Sequence, residues 1–266
     1  MLQGLRVDPG RPAQLAVRDP GDRLGVEKAE GAARLQELVE RLGVFQERLY
    51  AEHRRAVLLV LQGMDASGKD GTIRRVFTGV NPLGCHIVSF KAPSDLEAEH
   101  DFLWRIHAEM PRRGYLGAFN RSHYEDIVTA SVIGVIDPAR RARRIRHVRE
   151  FERALHDEGT TILKVFLHLS KQEQRTRLQA RLDDPAKRWK FRPEDLETRR
   201  RWDEYMKRYD EAITATSTRW APWYVVPADK KWVSALAVGQ LLMDTLEGLD
   251  PQVPQPEIDL RTAVID

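Results

Sequence analysis

Val57-Leu58-Leu59-Val60-Leu61-Gln62-Gly63-Met64-Asp65-Ala66-Ser67-Gly68-Lys69-Asp70-Gly71-Thr72 decides the fold, because an apolar run feeds directly into a glycine-rich loop that carries a lysine. Gly63, Gly68 and Lys69 have the G-x-x-x-x-G-K spacing, and Thr72-Ile73-Arg74-Arg75-Val76-Phe77 can open a helix whose free N–H groups face an anion. Gly68 and Gly71 let the backbone approach phosphate oxygens without a Cβ in the way. Lys69 supplies a point charge that can follow a phosphoryl group.

Two positions depart from the common pattern. Asp70 stands where such loops carry a Ser or Thr for Mg²⁺, and Asp65 places a second carboxylate beside Ala66 inside the cradle. A unit charge at about 4 Å from a phosphate charge would be repelled by about 4 kcal/mol at an intermediate dielectric. A divalent cation between Asp65 and the phosphates would offset this, and hard oxygen ligands suit Mg²⁺, with Mn²⁺ the alternative. Capping of the following helix is the other use for either acid, and more so for Asp70.

Length and composition point to one enzyme domain. The chain has 266 residues, 42% of them hydrophobic, enough for a full core. The single cysteine, Cys85, leaves no internal disulfide and fits a reducing cytoplasm. No apolar run reaches the roughly 20 residues that span a bilayer, and the N-terminus has no signal-type apolar region, so a cytoplasmic protein without membrane contact is expected. The net charge is only +3, from 43 basic and 40 acidic residues, but the bases bunch at 139–149 and 171–201. That local excess points to an anionic partner.

The order of elements predicts an α/β fold. Residues 1–25 read as an irregular arm, 26–250 as the domain, and 251–266, with Pro251, Pro254 and Pro256, as a tail. Leu35, Leu38, Val39, Leu42, Phe45 and Leu49 share one helical face over 28–50, suited to the sheet or to another subunit. Five strands are expected at 56–62, 85–90, 116–119, 162–169 and 223–227. Helices are expected near 71–79, 97–109, 124–134, 140–157, 171–183, 194–216 and 230–247. This is the pattern of a parallel sheet covered on both faces, whose ligands bind beyond the carboxyl ends of the strands.

The third predicted strand runs into Asn120-Arg121-Ser122-His123-Tyr124-Glu125-Asp126, which should emerge at the same edge as the phosphate loop. Arg121 offers a planar fork for charge building on a transferring phosphoryl group, and Asn120, Glu125 or Asp126 could hold Mg²⁺ or position an acceptor. Glu125 and Asp126 would point about 100° apart on a helix, so one of them is expected to face the site. Residues 175–191 read as a basic lid, in which Arg177 and Arg181 share a helix face, Pro185 ends the helix, Lys187 and Lys190 extend the charge, and Trp189 and Phe191 fold the tip back. A solvated charged helix is the alternative. Arg74, Arg75 and Lys91 are further candidates for a phosphate track. The arginines of 140–149 read mainly as an exposed face.

His100, His107, His123 and His147 lack a zinc spacing, and the six tryptophans are too scattered for a stacking platform on single-stranded nucleic acid. No Asn-Lys-x-Asp motif marks a guanine-nucleotide switch.

Gly63–Thr72, Phe119–Asp126 and Asp184-Pro185-Ala186-Lys187-Arg188-Trp189-Lys190-Phe191 together resemble the polyphosphate kinase 2 family, over residues 30 to 250. The resemblance implies a thymidylate-kinase-like, three-layer α/β/α P-loop fold with a five-stranded parallel sheet and a helical lid at 175–192. It implies Mg²⁺-dependent phosphoryl transfer between inorganic polyphosphate and a nucleotide. It carries the Walker A role to Asp65, Gly68 and Lys69, the Walker B role to Asn120–Asp126 with Asp65 and Asp126 as metal ligands, and the lid role to 175–191. Members that prefer nucleoside diphosphates tend to have Asp-Arg-Ser-Trp-Tyr-Asn; Asn-Arg-Ser-His-Tyr-Glu here is similar to the subgroup that accepts both AMP and ADP. Guanine selectivity stays open, and a homotetramer is the implied assembly. An ATP-dependent nucleoside monophosphate kinase and a non-enzymatic polyanion binder are the competing readings.

Overall fold

The computed structural model describes residues 2 and 4–256. In chain order the elements are β1 (Arg6–Val7), α1 (Lys28–Glu52), β2 (Ala56–Gln62), α2 (Lys69–Val76), β3 (Cys85–Ser89), α3 (Asp95–Ala98), α4 (Trp104–Ala108), β4 (Leu116–Asn120), α5 (Thr129–Val132), α6 (Pro138–Asp157), β5 (Thr160–His168), α7 (Lys171–Asp183), α8 (Pro193–Arg200), α9 (Trp202–Thr216), β6 (Trp223–Pro227) and α10 (Lys231–Leu249). The sheet order is β1-β6-β5-β2-β4-β3, with β2 to β6 all parallel.

Alternation along the strands separates two cores. On β2, Val57, Leu59 and Leu61 join the cluster under α1, α2 and α10, whereas Leu58 and Val60 point to the opposite cluster with Phe119, Phe166, Tyr209 and Trp223. All seven residues of β2 are buried, as a central parallel strand requires. The amphipathic face of α1 is laid on α10, and Gly31 and Gly43 permit close approach: a Cβ at Gly43 would sit 2.6 Å from the Gly79 carbonyl oxygen. Chain entry to β3 and β4 on one side of β2, then to β5 and β6 on the other, makes a crevice at the carboxyl end of β2.

The structure departs from the expected elements in three ways. The arm is not wholly irregular: Arg6 and Val7 pair antiparallel with Tyr224 and Trp223, adding a sixth strand that buries Leu5 and Val7. The helix expected at 97–109 is split into α3 and α4, because Asp101 Oδ1 takes the Leu103 N–H at 2.9 Å in place of a helical bond. The segments 124–134 and 194–216 also break, the first into turns before α5 and the second at Arg201, whose backbone is non-helical. The tail from 257 lies outside the described residues. No helix among the described residues is long and apolar enough to cross a membrane.

Candidate active site

The loop between β2 and α2 supplies the phosphate cradle. Gly63 and Gly68 have φ of +150° and +104°, and Ala66, with a side chain, is held at +64°. The Thr72 N–H bonds to the Gly68 carbonyl oxygen at 2.9 Å, so the N–H groups of Lys69, Asp70 and Gly71 face out of the helix end, where an anion would be favoured. Lys69 is buried and its Nζ donates to the carbonyls of Gly63 (2.6 Å) and Met64 (3.3 Å). Burial, followed by the charge of Arg121, lowers its pKa to about 8, against the pull of Asp65, Glu125 and Asp70.

Asp65 faces Arg121 across the crevice: Arg121 Nη2 donates to Asp65 Oδ1 at 2.9 Å. Burial opposes the charge on Arg121, but Glu125 and Asp65 outweigh it and raise the guanidinium pKa. Arg121 itself has φ +63°, so its fork is aimed by a left-handed backbone whose N–H still bonds to Leu61 O.

A buried polar cluster fixes the turn that carries Arg121. Glu152 of α6 accepts from Lys164 Nζ (2.6 Å) and Tyr124 Oη (2.8 Å) and contacts His123 Nε2 at 3.3 Å. Lys164 also reaches Tyr124 Oη and the Thr216 carbonyl. Lys164 and Glu152 are both fully enclosed. Lys164 is the one polar break in the apolar run 162–167, the sequence signal of a partnered charge.

Both Glu125 and Asp126 line the cavity, where one was expected. Glu125 Oε2 accepts from Thr129 Oγ1 at 2.6 Å. Asp126 is held by Arg105 Nη2 at 3.1 Å and lies 4.0 Å from Arg144 Nη1, which also donates to the Asp126 carbonyl. Asn120 Nδ2 donates to Asp70 Oδ1 at 2.6 Å, so Asp70 ties α2 to the end of β4.

Gly63, Asp65, Lys91, Arg121, Glu125 and Asp126 border one cavity of about 1060 Å³. Arg74 is exposed on α2, and Arg75 Nη1 donates to Gly71 O at 3.2 Å. The lid expectations need correction at two residues. Arg177 is not a free lid cation: it is buried, and its fork is taken up by the protein's own carbonyls. Trp189 does not fold the tip back; it is 76% exposed, with Lys190 Nζ over its ring. Arg181 pairs with Asp195 at 3.5 Å, and Lys187 pairs with Asp184.

The reading of 140–149 as solvent-facing also fails in part. Arg140, Arg143, Arg144 and His147 line the same cavity, with Arg144 stacked over Phe102. Their i, i+3, i+4, i+7 spacing was the signal for one basic helix face. Arg105, buried over Phe90 and donating to the Lys91 carbonyl, was also missed; a lone arginine among Phe102, Leu103, Trp104 and Ile106 was its only mark. Arg192 and Arg201 add positive charge from the lid side. The cavity is lined by the acid–guanidinium pair and by arginines of α4, α6 and residues 192–201, and Lys69 and the α2 N-terminus lie beside it, behind Gly63, outside its lining; together they suit a reaction between two phosphate-bearing ligands.

Comparison with known proteins identifies the family. The family model described as Polyphosphate kinase 2 (PPK2) matches residues 25–254. The chain is 53% identical over 267 residues to an AMP/ADP-polyphosphate phosphotransferase of Meiothermus ruber, covering 100% of both. It is 46% identical to an ADP-polyphosphate phosphotransferase of Rhodopseudomonas palustris, over 83% of this chain and 81% of that one. The crystal structure of polyphosphate kinase 2 from Arthrobacter aurescens TC1 superposes with a TM-score of 0.94 at 45% identity, covering 97% of this chain and 93% of that one. By sequence along nearly its whole length and by fold, the chain belongs to the polyphosphate kinase 2 family.

Proposed function

We propose that this enzyme transfers the terminal phosphoryl group of inorganic polyphosphate to AMP and to ADP, forming ADP and ATP. The observation that carries the proposal is the pairing of Asp65 in the phosphate loop with Arg121 on the turn after β4, in a cavity lined by further arginines. A loop that only held an anion would gain nothing from an acid at that place. The names of the relatives support polyphosphate as donor and adenine nucleotides as acceptors. Guanine nucleotides are the further acceptors to assay.

The residues suit a divalent ion, which we take to be Mg²⁺. Among the described residues no three His, Cys, Asp or Glu side chains gather into a metal cage. An ion held by one or two carboxylates, waters and substrate phosphates needs none. Asp65, with Oδ1 on Arg121, would hold it through its second oxygen, and Asp126, oriented by Arg105 and Arg144, is the second ligand proposed. When bound, the ion neutralises phosphate charge.

The chain's own groups do the rest. The α2 N–H groups and Lys69 orient the donor phosphates. Arg121 spreads the charge of the loose transition state between donor and acceptor oxygens, and Arg105, Arg140, Arg143 and Arg144 draw the acceptor phosphate toward in-line attack. Arg192, Arg201 and the lid bases Arg181, Lys187 and Lys190 close over the polyanion and exclude water. No covalent enzyme intermediate is needed.

Incubation of the protein with AMP, polyphosphate and Mg²⁺ in the absence of ATP tests the proposal. ADP should appear before ATP. Product formed only when ATP replaces polyphosphate would refute the donor. Cytoplasmic location and a homotetramer complete the proposal, the latter supported by exposed Val44 on α1 and exposed Leu83 and Ile87 at the β3 edge; sedimentation measures it.

A further inference from the structure

Arg177 donates five hydrogen bonds with none left for a ligand. Nε bonds to Glu173 Oε1 at 2.8 Å; Nη1 bonds to the Ala66 and Ser67 carbonyls at 3.0 and 3.1 Å; Nη2 bonds to the Ala228 and Asp229 carbonyls at 2.6 and 3.0 Å. A guanidinium has five N–H groups, so this fork is saturated by protein. Two of its acceptors belong to the phosphate loop and two to the turn between β6 and α10.

The loop acceptors matter for direction. In a trans peptide the C=O of one residue and the N–H of the next point opposite ways. Capture of the Ser67 carbonyl by Arg177 therefore turns the Gly68 N–H away from the lid helix and into the cradle. Capture of the Ala66 carbonyl fixes the 66–67 peptide at a turn, closed by the Ser67 N–H on the Met64 carbonyl at 3.0 Å, in which Ala66 has φ +64°. The far side of the fork rests on a fixed support: Asp229 Oδ1 accepts the Ser170 N–H at 2.8 Å, and the Asp229 N–H bonds to the Pro20 carbonyl of the N-terminal arm at 3.0 Å.

We propose that Arg177 is a positioning residue that sets the phosphate-loop backbone in its anion-binding conformation, acting by fork geometry and not by charge on the polyphosphate. The inference builds on the phosphoryl-transfer reading but can fail separately from it. Lysine at this position keeps the charge and loses the planar fork, so the two roles part at a single substitution.

Arg177→Lys and Arg177→Ala would be compared with the unaltered protein for kcat and KM toward polyphosphate, for tripolyphosphate binding by calorimetry, and for thermal unfolding. The brace predicts a loss of about 100-fold in kcat/KM for Arg177→Lys, the scale of a small misplacement of reacting groups. Tripolyphosphate binding should weaken with it. Low-millimolar guanidinium should restore part of the activity of Arg177→Ala, and equal ammonium should not. Arg177→Lys within about threefold of the unaltered kcat/KM would overturn the proposal, because charge alone would then suffice. So would a lower unfolding temperature with unaltered kcat/KM and tripolyphosphate affinity in the folded protein. If Arg177→Ala does not fold, Arg177→Lys decides alone. An unaltered protein that does not turn over polyphosphate would instead sink the activity reading, and tripolyphosphate binding would still judge the brace.

Discussion

Replacing Glu152 by glutamine removes one charge from the enclosed cluster beneath the Arg121 turn. The change is nearly isosteric, and the amide oxygen can still accept one bond. Lys164, fully buried, is left without a counter-charge, and Tyr124 Oη, His123 and Lys164 compete for a weaker acceptor. Breaking such a pair from one side costs about 3–5 kcal/mol. With a urea slope of about 3 kcal/mol/M, the unfolding midpoint should fall by roughly 1–1.7 M at neutral pH. Lys164→Met should cost a similar amount, and the double variant should cost no more than the worse single one. The pH dependence has a defined sign. Burial acts to raise the Glu152 pKa, but Lys164 and His123 outweigh it and hold the carboxyl below its ordinary value. The unfolded chain therefore binds this proton first on acidification. The stabilisation is complete above the unfolded value of about 4.3 and is lost as pH falls through the lower folded one. Glu152→Gln should lack that part of the acid dependence. A midpoint shift worth under about 1 kcal/mol, the value of an exposed pair, would refute the assignment.

Lys69→Ala should abolish turnover, measured as ADP formation. In the unaltered protein kcat/KM should decline as pH rises through about 8, where free Lys69 loses its proton, and the decline in kcat should come later because bound phosphate favours the cation. Between about 8 and the unfolded value of about 10.4 the unfolded chain holds more of this proton, so the Lys69 contribution to stability rises with pH there. Asp65→Asn should lose activity through weakened metal binding, with recovery at high Mg²⁺ in a titration; failure to recover would indicate a direct role for the carboxylate. Gly43→Ala should lower the unfolding free energy by about 1–3 kcal/mol, because its Cβ would meet a backbone oxygen at 2.6 Å that no rotamer can move away.

The parallel sheet and the phosphate loop were legible because their signals are local: a buried β-branched and leucine-rich run, then glycines at fixed spacing. The meeting of Asp65 and Arg121 followed from reading the strands as parallel, which brings the loops after β2 and β4 out at one sheet edge. The arm strand was hidden because two residues carry no periodicity and gain their stability only from the β6 edge. Arg177 and Arg144 were misjudged for a shared reason: a guanidinium's role depends on what lies within a few ångströms of its fork, and helix spacing gives direction without distance. The split of 97–109 turned on one side-chain acceptor, Asp101, competing with the helix.

With Arg121 in the role proposed for it, its left-handed backbone means that folding and activity make opposing demands on one residue. A non-glycine side chain there carries about 1–2 kcal/mol of strain. Glycine would relieve it and leave the Leu61 bond intact, yet it would delete the fork opposite Asp65. Under the proposed mechanism, Arg121→Gly would therefore exchange a strained, working fork for a relaxed backbone and a slower enzyme.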